Sequence, residues 1–133
     1  MKKTYAGACH CGTVRFEVEL DLAQPTYRCN CSICRRNRFW AAVAREEDFR
    51  LQSGADKLTQ YLFNTMKNEH YFCSVCGVRP FGIGTDTPIG RMVGVNIGCL
   101  EGVSEEELAS LPVTRIDGLA DRWQGEPPFA SHL

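Results

Sequence analysis

The sequence predicts one mainly β domain with little helix. Three observations indicate this class: one clear alternating strand, several short β-type stretches between turn residues, and a single helix start. The chain has 133 residues, a length at which one core is expected and no crosslink is needed for folding. Its 44% apolar and 23% charged residues are ordinary for a globular protein and argue against disorder. We therefore expect residues 1–133 to form a single domain.

The clearest strand covers Thr13–Leu20. Val14, Phe16, Val18 and Leu20 share one phase of an alternating pattern, and polar residues share the other. This pattern is typical of a strand with one buried face. Shorter β-type stretches follow at Thr26–Cys29, Phe39–Ala44, Phe49–Gln52, Thr59–Asn64, Glu69–Phe72 and Arg91–Ile97.

Turn residues separate these stretches and limit the helix content. Turns are expected at Ser53-Gly54, Gly82, Gly84 and Gly90. The one helix start is at Ser104, which is placed as an N-cap with Glu107 three residues later. Residues 118–133 contain Pro127-Pro128 and are expected to form an irregular tail.

Charge and hydropathy exclude several classes of function. Fifteen basic and sixteen acidic residues leave a net charge of −1, which gives nucleic acid no bulk electrostatic attraction. The longest apolar run, Phe39–Ala44, is far too short to span a membrane. Because the N-terminus lacks the apolar segment of a signal peptide, we expect a cytoplasmic, reducing location. We predict no nucleic-acid or membrane partner, and no pattern indicates an oligomeric state.

Eight cysteines are many for a chain of this length, and seven of them form three clusters. In a reducing compartment such a density indicates metal ligands rather than disulfides. Close spacing places the sulfurs of each cluster on one side of the chain, and thiolate-rich tetrahedral sites favour zinc. The clusters are the N-terminal pair (Cys9 and Cys11), the three-cysteine cluster (Cys29, Cys31 and Cys34) and the late pair (Cys73 and Cys76), while Cys99 stands alone.

Spacing leaves two arrangements of these clusters open, with an iron–sulfur site as a further alternative. In the first, the N-terminal pair joins the late pair, and the three-cysteine cluster forms a second site. In the second, Cys31 and Cys34 join the late pair, which leaves the other three clustered cysteines behind. Four thiolates close a structural zinc site, whereas three leave one position for water, a thiol or a carbonyl oxygen. A fourth ligand such as Cys99 would close the second site as well.

Residues that follow the three-cysteine cluster are candidates for substrate binding. Arg35, Arg36 and Arg38 are suited to bind a carboxylate and to lower the pKa of nearby thiols. Trp40 stands beside them and is a candidate wall of a substrate pocket. The alternative is a solvated surface loop with the aromatic side chain in the core. Cys99 is interpreted as a buried, inert thiol, with a resolving thiol as the alternative.

The order of the cysteine motifs resembles a known family. The segments Gly7–Gly12, Cys29–Arg36 and Tyr71–Gly77 read GACHCG, CNCSICRR and YFCSVCG. In this order they are similar to the motifs of the glutathione-dependent formaldehyde-activating family, which includes the centromere protein V-like proteins. The similarity runs from Gly7 to Gly118. It implies a tent-like, mostly β fold with two zinc ions per chain.

The resemblance also implies the first arrangement and a role for each site. It assigns a structural zinc to Cys9, Cys11, Cys73 and Cys76 and a catalytic zinc to Cys29, Cys31 and Cys34. It implies a carbon–sulfur lyase-type activity that combines formaldehyde with a small-molecule thiol, glutathione, to give S-hydroxymethylglutathione. The alternatives are a zinc-stabilised protein-binding module without turnover and a metal-handling protein.

Overall fold

Ten strands and two short helices form the fold, and the structure, a computed structural model, describes residues 1–133. The strands are β1 (Lys3–Ala8), β2 (Arg15–Leu20), β3 (Thr26–Cys29), β4 (Trp40–Arg45), β5 (Phe49–Ser53), β6 (Leu58–Tyr61), β7 (Glu69–Cys73), β8 (Phe81–Gly84), β9 (Met92–Asn96) and β10 (Val113–Ile116). The helices are α1 (Ser32–Asn37) and α2 (Glu105–Ser110). The mainly β class predicted from the sequence is confirmed.

The strands divide into two sheets. A three-stranded antiparallel sheet has the order β1-β2-β5, and a seven-stranded sheet has the order β10-β3-β4-β9-β8-β7-β6. Neighbours in the larger sheet are antiparallel except for β10, which pairs in parallel with β3. This pairing sets Ile116 opposite Cys29. It therefore brings the last strand to the edge of the three-cysteine cluster.

The main core is built from one face of each sheet. Phe16, Val18 and Leu20 of β2 are buried, as their alternation predicts. Gly7 of β1 makes room for this packing, since a Cβ there would lie 2.1 Å from the Phe16 ring. The other members of the core cluster, most of them in the larger sheet, are Ala42, Ala44, Phe81, Ile83, Val93, Val95, Ile97 and Cys99. Burial of these apolar groups stabilises the contact between the sheets.

Two glycines expected in turns lie in a strand instead. Gly82 and Gly84 belong to β8, which lies between β7 and β9. A Cβ at Gly82 would lie 2.6 Å from Arg79 Nη2, and one at Gly84 would lie 3.0 Å from the Met92 side chain. Here glycine permits close packing and does not mark a change of direction. The prediction of turns at these two positions was therefore wrong.

The helices were predicted with mixed success. The helix start at Ser104 is confirmed, because Ser104 Oγ accepts a hydrogen bond from Glu107 N at 3.1 Å and α2 follows directly. Helix α1 inside the three-cysteine motif was not predicted, nor were strands β1, β8 and β10. Neither helix has the length and hydropathy needed to cross a membrane. Residues 118–133 contain no helix and no extended strand.

Candidate metal centres

Four sulfurs meet where the two sheets come together. Cys9 and Cys11 lie in the turn between β1 and β2, and Cys73 and Cys76 lie at and just beyond the end of β7. The four Sγ atoms lie within 4.8 Å of one another. Cys9 Sγ is 3.6 Å from Cys11 Sγ, which is 3.8 Å from Cys73 Sγ. Sulfurs bound about 2.3 Å from one tetrahedral zinc ion are about 3.8 Å apart, so this spacing fits zinc.

Backbone amides face the sulfurs of this group. Val14 N donates to Cys9 Sγ at 3.3 Å, and Val75 N donates to Cys73 Sγ at 3.4 Å. Gly77, at a φ of +79°, continues the second turn in a conformation that glycine adopts without strain. Amide donors directed at sulfur stabilise the thiolate form. The turns therefore favour the ionisation state that a metal ligand needs.

A second group of sulfurs lies at the end of β3 and the start of α1. Cys29, Cys31 and Cys34 have Sγ atoms within 4.8 Å of one another, and all three are partly exposed. Cys31 is the N-cap of α1 and Cys34 lies three residues later, so the helix turns both towards one side. Cys31 N donates to Cys29 Sγ at 3.4 Å. No fourth cysteine, histidine or carboxylate belongs to this group, and Cys99 lies in the main core.

The three thiols of the second group compete for ionisation. Hydrogen bonds from Cys29 and Cys34 lower the pKa of Cys31 to about 2. Hydrogen bonds with Cys29 and Cys31 raise the pKa of Cys34 above its ordinary value. Three thiolates so close together repel one another, and a divalent cation is the kind of group that would keep all three ionised. The donor set therefore fits a zinc ion.

A narrow, positively charged cleft opens beside the second group. Its volume is about 10 Å³. The cleft is lined by Arg28, Cys29, Cys34, Arg35, Arg38, Phe39 and Leu133. None of the three arginines forms an ion pair with a carboxylate. Burial, together with the charges of Arg115 and Arg38, lowers the pKa of Arg28.

Only some of the predicted substrate-binding residues line the cleft. Arg35 and Arg38 line the cleft. Arg36 does not line it, because it lies on the exposed surface of α1 and donates to Ser32 O at 2.9 Å. Trp40 also does not line the cleft. The Arg28 guanidinium stacks over its indole ring, 4.8 Å from the ring centre. Arg28 itself was absent from the predicted residues, and its place directly before Cys29 was the signal for it.

A further arginine next to the second group was also absent from the predictions. The guanidinium of Arg79 lies 4.1 Å from the centre of the Phe39 ring, and Arg79 Nη2 donates to His70 Nδ1 at 2.8 Å. Burial lowers the pKa of Arg79, while the charges of Cys34 and Cys31 act in the opposite direction. Burial also lowers the pKa of His70 to about 4, and the positive charge of Arg79 adds to that effect. His70 is therefore neutral at pH 7.

The remaining candidates lie away from the metal ligands. Burial raises the pKa of Cys99 to about 12, which fits an inert thiol. A separate cavity, of about 250 Å³, is lined by no cysteine. Its Lys2 and Asp48 form an ion pair at 2.8 Å. The residues capable of holding a metal ion are therefore those of the two cysteine groups.

Comparisons with known proteins agree on one family. Residues 4–114 match the family model described as glutathione-dependent formaldehyde-activating enzyme. A protein of Halomonas elongata that carries the same activity as a provisional name is 30% identical over 106 residues, which cover 64% of this chain and 68% of that protein. A crystal structure of a Rhodobacter sphaeroides protein is similar with a TM-score of 0.72 and 42% identity, covering 82% of this chain and 99% of that chain.

Proposed function

The chain belongs to the glutathione-dependent formaldehyde-activating enzyme family, and on that premise we propose that it is a zinc-dependent carbon–sulfur lyase-type enzyme acting on thiol adducts. The reaction joins a small thiol such as glutathione to formaldehyde and runs in either direction. The observation that carries this proposal is a donor set of three sulfurs beside a cleft lined by three arginines without carboxylate partners.

Two zinc ions per chain are part of the proposal. Cys9, Cys11, Cys73 and Cys76 would hold one ion in a closed site, whose binding free energy contributes to folding. Cys29, Cys31 and Cys34 would hold the second, and three protein ligands leave one coordination position for the substrate. When bound, the second ion would stabilise a thiolate near neutral pH.

The residues around the cleft would position the thiol. Arg28, Arg35 and Arg38 are suited to bind the carboxylates of glutathione, because guanidinium and carboxylate groups match in charge and geometry. The cleft is small and lies directly beside Cys29 and Cys34. The family match supports formaldehyde as the second substrate, with the peptide part of glutathione across the arginine rim.

The bond changes of the reaction balance without a further reactant. An electron pair of the thiol sulfur forms the new bond to the aldehyde carbon. The π pair of the carbonyl group moves to its oxygen. This oxygen then takes up the proton that the thiol gave up. Release of formaldehyde reverses each change.

The location, the domain organisation and the class of partner are part of the same proposal. Metal-binding thiols need a reducing environment, which supports a cytoplasmic location. One core cluster includes residues of both sheets, which supports a single domain over residues 1–133. The net charge of −1 supports a small-molecule partner over nucleic acid.

NMR exchange spectroscopy of glutathione, formaldehyde and their adduct tests the proposed reaction. Zinc-loaded protein is expected to accelerate the exchange by more than about tenfold over buffer. Cys31→Ser should remove the acceleration. Arg28→Ala should raise the KM for glutathione, whereas Arg36→Ala is the matched control outside the cleft. If protein with two zinc ions neither binds glutathione nor accelerates the exchange, the proposed reaction is wrong, and a protein-binding module is favoured.

A further inference from the structure

Arg79 is a buried cation with unused hydrogen-bond donors. Its Nη2 donates to His70 Nδ1 at 2.8 Å, and its guanidinium stacks on Phe39 at 4.1 Å. Its Nε and Nη1 atoms are buried and have no hydrogen-bond partner within the chain. Burial of unpaired donors on a charged group is unfavourable. A fold that keeps such a group in place therefore points to a compensating interaction at the same location.

The surroundings of Arg79 hold it in this position. Asn96 Nδ2 donates to Arg79 O at 2.9 Å, which fixes the backbone. Gly82 leaves space for the guanidinium, because a Cβ there would lie 2.6 Å from Arg79 Nη2. His70 accepts a hydrogen bond and carries no charge, and no carboxylate forms an ion pair with Arg79. The positive charge of Arg79 is thus not neutralised by an acidic side chain.

Phe39 connects Arg79 with the three-cysteine cluster. Phe39, on which Arg79 stacks, lines the cleft, and Phe39 N donates to Cys34 O at 3.2 Å. The stacking on Phe39 sets the Arg79 guanidinium beside this cluster, and the charges of Cys34 and Cys31 act to raise the pKa of Arg79 against the effect of burial. A guanidinium stays protonated at neutral pH. Arg79 therefore adds a constant positive charge beside the sulfurs.

This charge matters for the choice of a fourth ligand. Three thiolates exceed the charge of one divalent ion by a single negative charge, and a thiolate as fourth ligand adds another. An excess of negative charge in a partly buried site is unfavourable unless a cation offsets it. A neutral fourth ligand adds no charge and needs no such compensation.

We propose that Arg79 is the counter-cation of the three-cysteine site, a positioning residue through which the site selects a thiolate over a neutral ligand. The inference rests on the proposed function for the nature of the ligand, a small thiol. It separates Arg79 from Arg28, Arg35 and Arg38, which line the cleft and would contact carboxylates. Arg79 would instead act on the sulfur of any thiol, with or without a carboxylate.

Cobalt(II) in place of zinc makes a change of ligand visible in the absorption spectrum. The full chain with cobalt at both sites is titrated with 2-mercaptoethanol and, separately, with imidazole. R79M is expected to bind 2-mercaptoethanol about tenfold more weakly than the wild type and to bind imidazole within about twofold of it. R79K keeps the positive charge and should retain most of the affinity for the thiol.

Two results would overturn the assignment. Equal losses of thiol and imidazole affinity in R79M would show a role in structure alone, and an unchanged thiol affinity would show that the charge has no effect. R79Q is a second uncharged variant and gives the same comparison if R79M does not fold, as judged by circular dichroism. Neither probe contains a carboxylate or a peptide. The result is therefore independent of whether glutathione and formaldehyde are the substrates, which the exchange experiment decides.

Discussion

Asn30 Nδ2 donates to Asp117 Oδ1 at 2.9 Å, a buried contact between residues 87 positions apart in the sequence. Asn30 lies between Cys29 and Cys31, and its Oδ1 accepts a hydrogen bond from Leu119 N at 2.9 Å. One side-chain amide thus ties the three-cysteine cluster to the C-terminal segment. The parallel pairing of β3 with β10 brings the two together.

Asn30→Ala is expected to destabilise the protein and its second metal site. The substitution removes the hydrogen-bond partner of the buried Asp117 carboxylate, which costs about 1–3 kcal/mol of unfolding free energy. Zinc at the three-cysteine cluster should also pass more rapidly to a chelator. Urea unfolding and zinc release measure the two effects. Asn37→Ala, at the exposed end of α1, is the control, and equal behaviour of the two variants would contradict a supporting role for Asn30.

Gly118→Ala is expected to remove the second metal ion while leaving the first. A Cβ at Gly118 would lie 2.5 Å from Cys29 Sγ and 2.9 Å from the Trp123 ring, so the sulfur has to move. Elemental analysis should find about one zinc ion per chain instead of about two. Gly94→Ala is the matched control, since a Cβ there would lie 3.8 Å from its nearest neighbour. Two zinc ions in the Gly118→Ala protein would show that Cys29 is not needed in its present position.

The features that the sequence predicted are those set by local spacing. The buried phase of β2 follows from alternation, and the start of α2 follows from a serine placed as a cap. The sulfur groups follow from short spacing within each motif, although spacing alone left their pairing open. Pairing depends on the contact between the two sheets, which no local pattern contains.

The charged part of the site was harder to predict because it depends on tertiary structure. Arg79 lies between β7 and β8, and its guanidinium approaches the three-cysteine cluster by stacking on Phe39. Arg35, Arg36 and Arg38 were expected on one rim, but the unpredicted helix α1 turns Arg36 away from the cleft. A helical turn within the three-cysteine motif thus determines which arginines line the cleft.

Cys76→Ser and Cys31→Ser should have different effects on stability. Each is expected to lower the zinc content from about two ions per chain to about one. Cys76 belongs to the group that joins the two sheets, so its loss should lower the Tm by more than about 10 °C. Cys31 lies in a partly exposed group, and its loss should lower the Tm by less than about 4 °C. Differential scanning calorimetry measures both, and equal shifts would contradict a structural role confined to the first site.

His70 is expected to make the stability of the protein fall in mild acid. Burial lowers its pKa in the folded state to about 4, below the ordinary value of 6.5. Between these two values the unfolded chain takes up a proton that the folded chain does not, so stability is full above pH 6.5 and declines towards pH 4. For a half-buried side chain we expect a loss of about 2 kcal/mol.

His70→Asn provides the test of this pH dependence. Asparagine keeps an acceptor for Arg79 Nη2 but does not titrate, so the variant should lose less stability between about pH 7.5 and about pH 5. Urea unfolding at the two pH values gives the difference, and the acid sensitivity of the metal thiolates is common to both proteins. His10→Asn, at an exposed position, is the control. The same decline in the His70→Asn variant as in the wild type would show that His70 is not the titrating group.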